Sequence, residues 1–218
     1  MERIADAFVW PARDHDWPAR MLLIGLILLI PIVGTINGLG WMLAALDRLR
    51  AGQEKLPPAS LGYLGRGFGL FVVVLVYGLA VAVAAGLLYL PAVLIFVREG
   101  QGTTNAAAVS GGVLLSLASF SIATLGSLAL NFLLPSIVLA TDHGGIAGGL
   151  RFAEVLRGAR ITPANTLIAG LMLIAASFVG SIGFVVCGVG VLFSTAYSLA
   201  MQAWIIHSYE IGSSSIRA

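Results

Sequence analysis

Charge is what this chain has least of. Only 10% of its 218 residues are Asp, Glu, Lys or Arg, whereas soluble domains carry about 25%. So few charges cannot cover a water-facing surface, and most of the chain must meet lipid or other apolar protein. The net charge of +2 and the scattered basic residues provide no basic patch, so a nucleic-acid partner is excluded. The single cysteine, Cys187, lies in an apolar run, which excludes a disulfide framework or a thiolate metal cluster. No ionisable side chain from Asp, Glu, Lys, Arg or His falls within 70–97, 106–140 or 166–206. Ion-coupled transport ordinarily relies on such a group, at an insertion cost of about 2.5–3.5 kcal/mol. Its absence argues against a proton pump or a charged-substrate carrier. The serines likewise have no histidine or carboxylate at membrane depth to activate them, so no enzyme is expected. The first twenty residues mix Glu2, Asp6, Asp14 and Asp16 with three arginines, which is no signal peptide.

What the chain has is long apolar runs. It is 59% hydrophobic and holds 27 glycines. Residues 1–20 read as a cytoplasmic or interfacial tail, with Ile4, Ala5, Phe8 and Val9 on one face of a short interfacial helix. His15 between Asp14 and Asp16 reads as a solvated histidine, since neighbouring side chains do not converge on a helix. The next stretch, 21–46, is apolar but carries Pro31, Gly34, Gly38 and Gly40. From Met21 to Ile32 it is about 18 Å long as helix, short of the hydrocarbon core of about 30 Å. After a polar linker over 47–69, stopped by Pro57-Pro58, a membrane helix is expected over 70–97. Its Gly78, Ala82 and Gly86 form a stripe that lets another helix approach. A second is expected over 106–140, with Ser116, Ser119, Ala123, Ser127 and Asn131 at helical spacing. TDHGGIAGG then turns the chain into an amphipathic interfacial helix, 148–160, with Phe152, Val155 and Leu156 apolar. The uncharged run 166–206 is too long for one span and reads as two helices, 166–183 and 190–206, with a turn near 180–190.

Basic side chains resist translocation, so their distribution reports sidedness. If 21–46 crosses the membrane, the twelve basic residues divide eight to four between the two sides. If it is a hairpin returning to its own side, they divide eleven to one. The expected fold is therefore an all-α integral membrane protein, one polytopic domain over 1–218. It begins with an N-terminal re-entrant or broken helical hairpin followed by four transmembrane helices, with both termini cytoplasmic in a cell inner membrane. The hairpin tip is expected to be buried by other helices, because backbone exposed to lipid lacks partners.

LIPIVG followed by Gly40-Trp41 and the Leu56-Pro57 linker, the block LPSIVLATDHGGIAGGLRFAEVLRG, and the closing LFSTAYSLAMQAWIIHSYEIG together carry a resemblance. The chain resembles the prokaryotic membrane family called domain of unknown function 4013, over roughly 17–212. Gly40-Trp41 replaces the family's usual Gly-Tyr. The resemblance implies a compact multi-helix membrane domain and no assigned activity, so it carries over no catalytic residue.

The polar candidates are Asn131, Gln202, Ser198 and Ser127, read either as interhelical hydrogen bonds or as a polar path. Ser194, Ser198 and Gln202 form the second of these stripes. Trp17, Trp41, Trp204, Arg151 and Arg157 are expected at the membrane interface. His207 is a candidate axial ligand for a tetrapyrrole or, more simply, an interfacial side chain, and His143 beside Asp142 reads as turn chemistry. The Asp47/Arg48 and Arg151/Glu154/Arg157 groups read as solvated faces, docking sites or headgroup contacts. No cofactor or metal is expected. The partners expected are the lipid bilayer and other membrane subunits or copies of the chain. The expected role is a non-catalytic accessory subunit; the other reading is a small-molecule or lipid permease.

Overall fold

The computed structural model of the chain describes residues 4–102, 105–183 and 189–214. Much of the turn expected near 180–190, with Cys187, lies outside the described residues. The described residues are helical, with no strand among them. Two short 3₁₀ turns, Ile4–Phe8 and Trp10–Arg13, precede α1 (Trp17–Leu28) and α2 (Val33–Arg50). Then come α3 (Leu64–Glu99), α4 (Ala106–Gly149), α5 (Phe152–Ile161), α6 (Pro163–Ile182) and α7 (Val189–Ser214). Three of them, α3, α4 and α6, are long and apolar enough to cross a membrane.

The chain divides into two compact units. One holds the described residues up to Val73 and from Asn131 onward; the other is Val74–Leu130. In the first unit α7 is the hub. Helices α1, α2 and α6 and both 3₁₀ turns pack on it, and Ala196, Ala200, Met201, Ala203, Ile205 and Ile206 are fully buried. In the second unit, parts of α3 and α4 meet through small residues, with the Ser119 hydroxyl donating to the Ala85 carbonyl at 2.9 Å. The Gly78/Ala82/Gly86 stripe is not that contact. Among the described residues, no atom outside the adjoining turns of the same helix lies within 4 Å of where a Cβ would stand at Gly78 or Gly86.

The segment 21–46 is broken, and its ends return to one place. Helix stops at Leu28 and resumes at Val33. Arg20 near the start of α1 and Arg48 near the end of α2 both donate to the Leu56 carbonyl, Arg48 at 2.9 Å. Asp14, buried, accepts from Arg20 and from the Leu56 amide, each at 2.9 Å. The linker is thereby pinned across both mouths of the hairpin, while His15 is exposed.

The hairpin tip corrects an expectation. Leu29, Ile30, Ile32 and Val33 are exposed, Ile32 by 64%. A tip with unpaired backbone would need a cover, but this turn pairs much of its own. Ile30 donates to Ile27, Gly34 to Ile30 and Val33 to Pro31, and Pro31 has no N–H to satisfy. Ile32 sits at the centre of that last bond with φ 64° and ψ −60°, a strained γ-turn geometry.

Other boundaries shift for local reasons. Asp47–Arg50 and 64–69 are helical rather than linker. Helix α4 runs beyond residue 140 to Gly149, with the turn reduced to a kink at Gly145, φ 62° and ψ −160°, where glycine alone is comfortable. The helix expected over 148–160 runs over 152–161. Its buried residues are Val155 and Ala159, while Phe152 faces out.

The N-terminal tail is not peripheral. Ala7 and Trp10 are fully buried. The Trp10 indole N–H donates to the Ala200 carbonyl at 3.2 Å, and Tyr197 donates to the Phe8 carbonyl at 2.7 Å. The 3₁₀ turns, with three residues per turn, point Ala7 and Trp10 at α7 and pack Ile4 against the core, while Ala5, Phe8 and Val9 face out.

Candidate functional site

The end of the first unit where α2 finishes, α3 starts and α7 closes gathers charges from four separate stretches of sequence. Arg50, the last residue of α2, grips Glu210 with two nitrogens, Nε at 2.8 Å and Nη2 at 3.0 Å. Its Nη1 reaches Asp142 at 2.6 Å and Asp47 at 3.3 Å. Arg66 in the first turn of α3 bonds both Asp47, at 2.9 Å, and Asp142, at 3.0 Å. Asp142 is the most enclosed member, its side chain 10% exposed. Partial burial pulls the Arg50 guanidinium down, but its hydrogen bonds to Glu210 and Asp142 outweigh that and hold it above the ordinary arginine range. Two cations against three carboxylates leave the cluster one charge negative.

Beside this cluster lies an open cavity of about 500 Å3, lined among others by Ser136, His143, Glu154, Gly158, Tyr209 and Glu210. Tyr209 forms its inner wall. Its hydroxyl pairs with Ser136 at 3.0 Å, and lies 3.4 Å from both the Thr166 hydroxyl and the Gly158 carbonyl. One phenol thus ties together α4, α5, α6 and α7. His143 pairs its Nδ1 with the Leu139 carbonyl at 2.8 Å. Among the described residues, no group of three His, Cys, Asp or Glu side chains is placed to hold a metal. What the arrangement does chemically is clamp four helix ends with charge-assisted bonds.

The residues singled out from sequence are dispersed. Asn131 borders a groove of about 170 Å3 with Ile174, Ser177, Phe178 and Ser181. Gln202 donates to Ser198 one turn back on its own helix, at 3.3 Å, and Ser198 is buried. Ser127 lies on α4 in the second unit. Of the stripe serines, Ser116 bonds its own helix, at the Gly112 carbonyl at 2.9 Å, as does Ser177 outside the stripes, at the Leu173 carbonyl. Ser194 crosses between helices, to the Gly180 carbonyl at 2.7 Å.

Of the expected interface tryptophans, two are core residues. Trp41 is fully buried and donates to the Pro57 carbonyl at 3.3 Å. Trp204 is 5% exposed, stacked on Trp10 at 5.6 Å with Arg13 over its ring at 5.9 Å. Both indoles are spent on the protein, because the linker and the N-terminal turns fold over them. Trp17 is half-buried, edge-on to Phe193 and Tyr197. Arg151 and Arg157 are exposed on α5, and His207 is half-buried one turn before Glu210.

The family described as protein of unknown function (DUF4013) matches residues 23–193. The chain belongs to this family. The match ends at Phe193, so most of the closing block expected to belong to the resemblance lies beyond it. Comparison with curated proteins and with solved structures finds no match. The DUF4013 match includes Asp47, Arg50, Arg66 and Asp142 of the charged cluster but not Glu210. Sequence reading missed the cluster because its bonded partners are up to 160 positions apart. The available signal was that all five charges flank apolar runs on the side assigned to the cytoplasm.

Proposed function

We infer that this DUF4013 chain is a non-catalytic integral membrane subunit that packs against other membrane proteins or copies of itself. The observation that carries this reading is the segment Val74–Leu130. Its large side chains, among them Leu79, Leu87, Leu94, Leu114, Phe120 and Leu125, are exposed, and its glycine stripe is open. In lipid, association relies on close approach at small residues rather than on burying leucine, so such a surface suits a partner helix. Gentle extraction followed by size-exclusion chromatography and mass spectrometry tests it: a complex is expected, and a bare monomer defeats the reading.

The finer topology belongs to the same proposal. α7 is the fourth span, α1 and α2 dip into the cytoplasmic leaflet of the inner membrane of a prokaryotic cell, and both termini are cytoplasmic. The shared Leu56 anchor of Arg20 and Arg48 and the eleven-to-one division of basic residues support it. In a Cys187→Ser background, an impermeant thiol reagent added outside reaches Gly102→Cys and not Gln53→Cys; labelling at 53 rules the hairpin out. The permease reading draws on the Asn131 groove, and a polar passage joining it to the 500 Å3 cavity would favour it.

A further inference from the structure

We propose that the outward face of α5 binds the headgroup of an anionic phospholipid, gripped by Arg157 and Arg160. α5 buries Val155 and Ala159 against the protein. Its opposite side, with Ala153, Leu156, Arg157, Arg160 and Ile161, lines an open groove of about 410 Å3. The two arginines are three residues apart, neighbours on one helix face, and both are exposed.

Their partners set them apart. Arg50 and Arg66 are committed to carboxylates, and Arg48 and Arg20 to the Leu56 carbonyl. The acid on α5, Glu154, stands three residues before Arg157 but pairs with Arg151 at 3.3 Å and borders the cavity. Among the described residues, neither Arg157 nor Arg160 forms an ion pair with a carboxylate. A guanidinium pair offers the planar, bidentate donors that a phosphodiester accepts. The groove is also apolar: Leu156 is half-buried and Ile161 is 43% exposed. A lipid covers that surface with its glycerol and acyl carbons; a free phosphate leaves it wet. Depth agrees, because one residue, Thr162, joins α5 to α6, which is apolar and long enough to cross a membrane. α5 therefore stands where headgroups are.

The test uses the full chain in mild detergent, with phosphatidylglycerol or phosphatidylcholine of the same acyl length, read by native mass spectrometry. Phosphatidylglycerol is expected to be retained preferentially. At about 1 kcal/mol per arginine near the surface, Arg157→Gln/Arg160→Gln weakens it about thirty-fold and leaves phosphatidylcholine unchanged. Arg98→Gln, which removes one charge elsewhere, leaves retention intact. Undiminished phosphatidylglycerol binding by the double variant overturns the site, and so does an equal loss from Arg98→Gln. Full competition by glycerol 3-phosphate would reassign it to small anions, and preferential capture of polyglutamate to an acidic polypeptide; either result overturns the lipid proposal. The double variant keeps the wild-type melting point, since neither side chain has an ion-pair partner among the described residues; a lower one would show a structural role and overturn it too.

Discussion

Between Val74 and Leu130 the buried described residues are Ala85, Ala92, Gly112 and Ser119, all small. Around α7 the buried set is led by Trp10, Trp41, Met21, Ile24, Leu173, Met201 and Ile205. The same apolar composition is thus folded under two rules. Where the neighbour is lipid, burying a leucine gains little and small residues bring helices together. Where α7 is enclosed by α1, α2, α6 and the N-terminal turns, bulky side chains interdigitate as they do in a water-soluble core. Apolar character alone does not separate the two, since leucines and valines serve both.

The sharpest way to break this contrast is a matched pair of glycine substitutions. A Cβ at Gly67 would strike the Ile36 carbonyl, backbone against backbone where α3 crosses α2. Gly67→Val is expected to abolish the folded protein, seen as loss of a monodisperse peak after extraction. Gly78→Val, with open space around it within the chain, leaves the chain folded and monodisperse, at the smaller size expected when the stripe no longer seats a partner helix. Failure of both would show that the second unit is as tightly packed as the first.

The next effect compares truncations. Met201→Ala removes a fully buried side chain and is expected to destabilise by about 3 kcal/mol in reversible unfolding in detergent. Leu114→Ala, at a side chain 67% exposed, stays within about 0.5 kcal/mol. Arg50→Gln comes third. It strands Glu210 and leaves Asp142 to Arg66 alone, but the cluster is partly solvated, so the cost is about 2 kcal/mol rather than the full buried-pair value. That loss shrinks as salt is raised. Smallest is a gain. The Thr162 hydroxyl is buried without a hydrogen-bond partner among the described residues. Thr162→Val removes an orphaned polar group and is expected to stabilise by about 1 kcal/mol.

Much of the helical layout was legible beforehand. The apolar runs 70–97 and 106–140 lie within α3 and α4, and 166–183 passes the end of α6 by one residue. The broken segment was legible from an unusual source, the tally of basic residues, since Pro31 and the glycines do not by themselves distinguish a kinked span from a hairpin. The N-terminal turns were not legible. Ala7 and Trp10 owe their burial to α7, with Trp10 bonding a residue 190 positions away, and no local pattern announces such a contact. Trp41 and Trp204 were misplaced for the same reason: a tryptophan near the end of an apolar run reads alike whether a headgroup or a folded linker covers it. The charged cluster stayed hidden because Asp47, Arg50, Arg66, Asp142 and Glu210 each look like an ordinary helix-flanking charge.

The amino-acid sequence by itself determined that this chain is helical and suited to lipid, because a chain with so few charges must satisfy its backbone within helices. The placement of its basic residues pointed to a first apolar segment that turns back, and the helix there does break between Leu28 and Val33. Only the tertiary structure decided which helix is enclosed, which aromatic rings face protein, and which arginines are already paired. Those outcomes depend on distances between residues far apart in the chain, and a local pattern carries no record of them.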